Sequence, residues 1–102
     1  MQINQSARAE KVLAYAQLVG VAASTGFATI AGGSIPEGTE FVEVSVSGQA
    51  VRWRGDGAAP TASVGMPLPV GTTRFFTQQQ LPAVRFIEQS ASATLDCTFY
   101  GR

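Results

Sequence analysis

From residue 40 to the C-terminus, apolar residues recur at every second position, and a chain with that period satisfies it by forming strands that bury one face and wet the other. In EFVEVSVS, Val42, Val44 and Val46 share one face, while Phe41, Glu43, Ser45 and Ser47 share the opposite one. Ser47-Gly48-Gln49 reads as a turn, after which Val51 and Trp53 resume the inward face and Arg52 and Arg54 point away from it. TTRFFTQ (72–78), AVRFIEQ (83–89) and SATLDCTFY (92–100) predict three more strands. In the last, Ala93, Leu95, Cys97 and Phe99 alternate with Thr94, Asp96, Thr98 and Tyr100. Two strands are preceded by one turn recipe, Ile35-Pro36-Glu37-Gly38-Thr39 and Leu68-Pro69-Val70-Gly71-Thr72. Each predicts a type I turn with proline at its first central position and glycine at its fourth.

A chain of 102 residues makes one domain, able to bury roughly two-thirds of its unfolded surface. Seven or so short strands with frequent turns predict an antiparallel β-sandwich, jelly-roll-like, over residues 12–102. Residues 1–11 are expected to form an N-terminal arm or to join an edge strand. ARAEKVLAYAQLV could also make a helix ending at Gly20, because Ala, Glu, Lys and Leu favour one. A strand beyond Val12 is the reading adopted. The uncharged run from Val12 to Gly33 has the outline of a signal peptide or a weak membrane span. Gln17, Ser24 and Thr25 interrupt it and Glu10 precedes it, so it is read as buried domain structure, with no signal peptide and no membrane partner. Seven basic and seven acidic residues cancel, which leaves no field to draw the chain to nucleic acid.

The sequence is poor in reactive groups. It contains no histidine, the commonest general base and zinc ligand. Cys97 alone can form neither an intrachain disulfide nor a structural zinc site, and its inward parity makes it a packed thiol. Glu40 and Glu43, three apart on a strand, face opposite sides and form no carboxylate pair. Gly55-Asp56-Gly57 begins like a dinucleotide fingerprint, but Pro60 stands where the third glycine is required and no helical pattern follows. Arg54-Gly55-Asp56 spells the tripeptide read by integrins, a match of very low specificity. No catalysis, metal or cofactor is expected.

Trp53, in step with Val51, is read as a core anchor. Arg52 and Arg54 are either a solvated strand face or forked donors holding Asp56, Asp96 or a neighbour's carboxylate. The adjacent pairs Phe75-Phe76 and Phe99-Tyr100 must each expose one ring in a monomer, which argues for an interface. The candidate interface residues are Arg52, Arg54, Asp56, Phe41, Phe76 and Tyr100.

The run IPEGTEFVEVSVSGQAVRWRGDGAAPTASVGMPLPVGTT, continued by AVRFIEQSASATLDCTFY, resembles a family of small tailed-bacteriophage virion proteins. The likeness covers residues 35–100 and rests on the combination RWR-DG-PTAS-GMPL. Arg52, Trp53, Arg54, Asp56, Gly57, Pro60, Thr61, Gly65 and Met66 fill the motif, of which Trp53, Gly57, Pro60, Gly65 and Met66 mark structure more than any site. Gly55 stands where an acidic residue is common, and Asp96-Cys97 where Asn-Val is usual. The resemblance implies a β-sandwich protein of the particle, foremost a capsid decoration or cement protein, with head–tail and tail components as neighbouring roles. It implies partners among the major capsid protein or other virion subunits, and a location on the capsid surface after synthesis in the bacterial cytoplasm. A homo-oligomer is expected, a trimer ahead of a dimer. The rival expectation is a carbohydrate- or receptor-binding module, which also uses small sandwiches with exposed aromatic rings.

Overall fold

The computed structural model describes residues 11–102; the arm expected over 1–11 lies outside them except for Lys11. Among the described residues are eight strands: β1 (Lys11–Val19), β2 (Thr25–Gly26), β3 (Thr39–Ser47), β4 (Val51–Arg54), β5 (Met66–Leu68), β6 (Thr73–Thr77), β7 (Arg85–Glu88) and β8 (Thr94–Gly101). A single helical turn, α1 (Phe27–Ile30), follows β2. β1 takes the strand alternative, and Gly20 at φ +84° ends it.

The strands form two four-stranded sheets, ordered β1-β8-β3-β6 and β2-β7-β4-β5. β1 pairs with β8, β2 with β7, β3 with β6 and β4 with β5, all antiparallel, as in one long hairpin folded over on itself. The β3–β8 and β4–β7 pairs then knit the hairpin into two layers. That connectivity is an eight-stranded jelly roll, the architecture the alternation predicts.

The inward faces match the predicted parity. Val42, Val44 and Val46 from β3 and Leu95, Cys97 and Phe99 from β8 are buried against Val51 and Trp53 of β4 and Phe86 of β7. Phe27, delivered by α1, sits between the layers and meets Phe76, Phe86 and Phe99 edge-on at centroid distances of 5.6, 5.3 and 6.3 Å. The run from Val12 to Gly33 is only partly buried, in contrast to the expectation. Val21, Phe27 and Ile30 enter the core, but Val12, Tyr15 and Val19 of β1 face solvent because an edge strand on a two-layer sandwich has one covered face.

The two proline turns form one residue later than predicted. Thr39 N–H donates to Pro36 O (3.2 Å) and Thr72 N–H to Pro69 O (3.1 Å), so proline opens each turn. Gly38 and Gly71 then occupy the third position with φ +87° and +86°, which a type II turn reserves for glycine. The N–H of Gly71 is drawn instead to Val46 O (2.8 Å), and this inter-strand bond outweighs the local register.

Glu88 of β7 ties the second sheet to the first where β1 ends and β8 begins. Its Oε1 accepts the N–H groups of Ala93 (3.0 Å) and Val21 (2.8 Å), and these bonds hold its carboxyl below the usual glutamate range. A lowered folded-state value means that the stabilisation is complete above the ordinary pKa of 4.5 and is lost as pH falls through the lowered one. Glu88→Gln is therefore expected to melt earlier than the parent at neutral pH, with the gap closing in acid. A series of thermal melts against pH reads this directly, and a gap that stays constant would contradict it.

Candidate interaction surface

VRWRGDG proves to be the brace of the β4–β5 loop. Arg52 Nη1 donates to Gly65 O (2.8 Å) and its Nε to Ala62 O (3.2 Å), so this guanidinium spans the loop it precedes. Arg54 makes a forked pair with Asp56, its Nε 3.1 Å from Oδ1. Asp56 Oδ1 also accepts the N–H of Ala58 (3.2 Å), and the carboxyl lies below the usual aspartate range chiefly through the Arg54 bond. Arg54 is thus a forked donor to Asp56, one of the carboxylates considered for it, whereas Arg52 instead holds two backbone carbonyls of the loop. Asp96, the other aspartate considered for them, lies in the opposite sheet.

The remaining motif residues complete the same loop. Pro60 is buried, and Gly65 is packed so closely that a Cβ there would come within 3.1–3.2 Å of Trp53 O, Arg52 Cβ and Pro60 Cβ. Gly57 takes φ +85° at the loop's tip, and Met66 is exposed where β5 begins. Trp53 is 9% exposed. Phe76 packs edge-on to it at 5.0 Å and Arg74 covers its ring at 4.7 Å, a cation over an aromatic face.

The aromatic candidates divide. Phe41 and Tyr100 lie on the outward face of the first sheet, stacked at 4.8 Å and 17°. Phe76 is 0% exposed and is not an interface residue: it pairs with Val42 and turns inward with it. The ring that its doublet exposes is Phe75, 55% accessible and 5.8 Å from Phe41. Parity alone could not assign this doublet, because Arg74 shares the inward side with Phe76. An edge strand lets arginine lie over the end of the core and reach water past it, so charge here does not mark the outward face.

The register assembles a surface that the sequence reading saw only in part. Across β1, β8, β3 and β6 the outward rows run Val12, Tyr100, Phe41, Thr77, then Tyr15, Thr98, Glu43, Phe75, then Gln17, Asp96, Ser45, Thr73. The Tyr100 hydroxyl donates to Glu43 Oε1 (2.8 Å), Gln17 Nε2 to Asp96 Oδ1 (2.9 Å), and the Tyr15 hydroxyl to the same Asp96 oxygen. The bond to the Asp96 carboxylate raises the Tyr15 pKa above its usual range, since ionising the phenol would give up that bond and add a like charge. Two carboxylates and four rings thus share the sheet, and no lysine or arginine stands in these three rows. Phe75 and Tyr15 were missed as partners of Phe41 and Tyr100. The signal that would have found them is the β1–β8–β3–β6 order, which is not local to any segment.

Cys97 is fully buried in β8, and burial pushes its thiol up to about 12. It is expected to resist alkylation in the native state and to react on denaturation; fast labelling of folded protein would contradict its packing. No cluster of metal-ligating side chains occurs among the described residues, and none of their helices is long and apolar enough to cross a membrane. No family model, curated protein or solved structure matches the chain.

Proposed function

We propose that the chain is a non-enzymatic structural protein of a tailed-bacteriophage particle, a capsid decoration or cement protein that bridges coat subunits. The observation that carries this reading is the outward face of β1-β8-β3-β6. There Phe75, Phe41, Tyr100 and Tyr15 form an exposed or half-buried aromatic patch with Glu43 and Asp96 set among them. Aromatic rings on a rigid sheet bury area at little entropic cost, and the fixed carboxylates select a surface bearing lysine, arginine or hydroxyl donors. The major capsid protein is the partner proposed, with other virion subunits as neighbours. Many copies on a repetitive shell add weak contacts by avidity, so no single interface has to be tight. The motif likeness over residues 35–100 supports the same class of protein. Its braced loop gives RWR-DG-PTAS-GMPL a structural task, which fits a motif that marks the fold.

Mass spectrometry of purified particles tests this reading. The chain is expected in a fixed ratio to the coat protein, cross-linked to it through the first sheet; particles without a copy of it would overturn the proposal.

A second reading is favoured by one arrangement. Tyr15, 60% exposed, lies beside Asp96 and Gln17, as a saccharide platform requires. Titration with oligosaccharides, followed by the amide resonances of Tyr15, Gln17 and Asp96, would move those signals if the face reads glycans. Unmoved signals would remove this alternative. Trp53, packed in the core, would not report on such binding.

A further inference from the structure

The two sheets end in four edge strands, and three of them carry features that discourage pairing with another chain. β2 is two residues long, and β5 is three with Pro67 at its centre. β6 turns Arg74 inward over Trp53 and Phe76, so a strand added beside it would trap a charge. Among the described residues, β1 has no such protection. It runs nine residues without proline and without a charge after Lys11. Leu13, Ala14, Ala16 and Leu18 are only partly buried at the rim of the core, and Val12, Tyr15 and Val19 are exposed. On the side away from β8, where no described strand pairs with it, alternate residues present N–H and C=O groups to a further strand.

We infer that β1 pairs antiparallel with β1 of a second copy of this chain, giving a two-fold dimer whose first sheets join into one sheet of eight strands. A two-fold interface requires a strand to complement itself, and β1 does. A bulge between Val12 and Ala14 leaves the regular part of the strand at 14–19. An axis at Ala16 then sets Ala14 opposite Leu18 of the second copy on the inward face, extending both cores. On the outward face it sets Tyr15 opposite Gln17 of the second copy, extending the hydrogen-bonded group around Asp96. Antiparallel pairing also holds the two Lys11 side chains at opposite ends of the ladder, whereas parallel pairing would oppose them. The inference does not rest on the particle reading. If both hold, the dimer presents two aromatic faces on one continuous surface.

The test is sedimentation of the purified full-length chain over a dilution series. The expected species is twice the 10.7 kDa chain mass at high concentration, dissociating on dilution. Ala16→Lys places a charge at the axis and is expected to weaken the dimer at least tenfold. An equimolar mixture of Ala16→Lys and Ala16→Glu is expected to restore it as a heterodimer. A single copy at every concentration, a trimer, or a dimer indifferent to Ala16→Lys would overturn the inference. If the variants fail to fold, hydrogen exchange on the wild-type chain decides: amides of alternate residues in 14–18 should gain protection with concentration, and protection that does not change refutes the pairing.

Discussion

Phe27→Ala is expected to lower the unfolding free energy by about 3–5 kcal/mol, the cost of emptying a buried phenylalanine site. The reason lies in where α1 delivers this ring. Phe27 is 1% exposed and stands edge-on to Phe76 of the first sheet, Phe86 of the second and Phe99 of the first, so it joins both layers at one point. Removing it leaves a cavity walled by three rings on fixed strands, which cannot close without shifting the sheets. For a domain with about 5–15 kcal/mol in total, that is a large fraction of its stability, and the midpoint should fall by roughly 15–30 °C. Phe27→Leu should cost far less, because most of the volume stays filled. Denaturant titration of the two variants checks the order; a loss under about 1 kcal/mol for Phe27→Ala would mean that the layers are joined elsewhere.

Under the proposed docking on a particle, Phe75→Glu is expected to leave the fold intact and to abolish attachment. The side chain is more than half exposed and its main contact is with Phe41, so the change in stability should stay within about 0.5 kcal/mol. On the aromatic face the same substitution puts a third carboxylate near Glu43, its neighbour in the β3–β6 register. Loss of a central interface ring typically costs at least about 2 kcal/mol, near thirtyfold per site, and avidity multiplies that loss over the shell. Phe76→Glu makes the control of opposite character, since it buries a charge and should unfold the chain. Binding that survives Phe75→Glu would place the docking surface elsewhere.

The contrast between these neighbouring phenylalanines shows how far sequence reasoning reached. Where alternation was clean, as in Val42-Val44-Val46 and Leu95-Cys97-Phe99, parity assigned every inward residue correctly, because both strands lie inside their sheet and have two ladder neighbours. At edges the same rule lost its grip. TRFFT offers an arginine and a phenylalanine on one side and a phenylalanine between two threonines on the other, and only the position of β6 above Trp53 decides between them. KVLAYAQLV is rich in helix formers, yet β8 supplies an eight-residue partner that a helix could not use. β2 and α1 were not legible at all. Two residues and one turn are too short to show a period, and the N-cap of α1 is Gly26, which offers no side-chain cap. The loop motif was legible as a cluster but not as a mechanism. That Arg52 reaches Gly65 O depends on how far the loop folds back along β4.

The central claim is that the outward face of the first sheet holds this protein on a shell and strengthens it. Its most direct measurement is the survival of particles under heat or osmotic shock, comparing particles lacking the chain with the same particles reconstituted with wild-type protein or with Phe75→Glu. Wild-type protein should bind and raise survival, and Phe75→Glu should do neither. Equal survival in all three preparations, with no protein retained on the particle, would contradict the account.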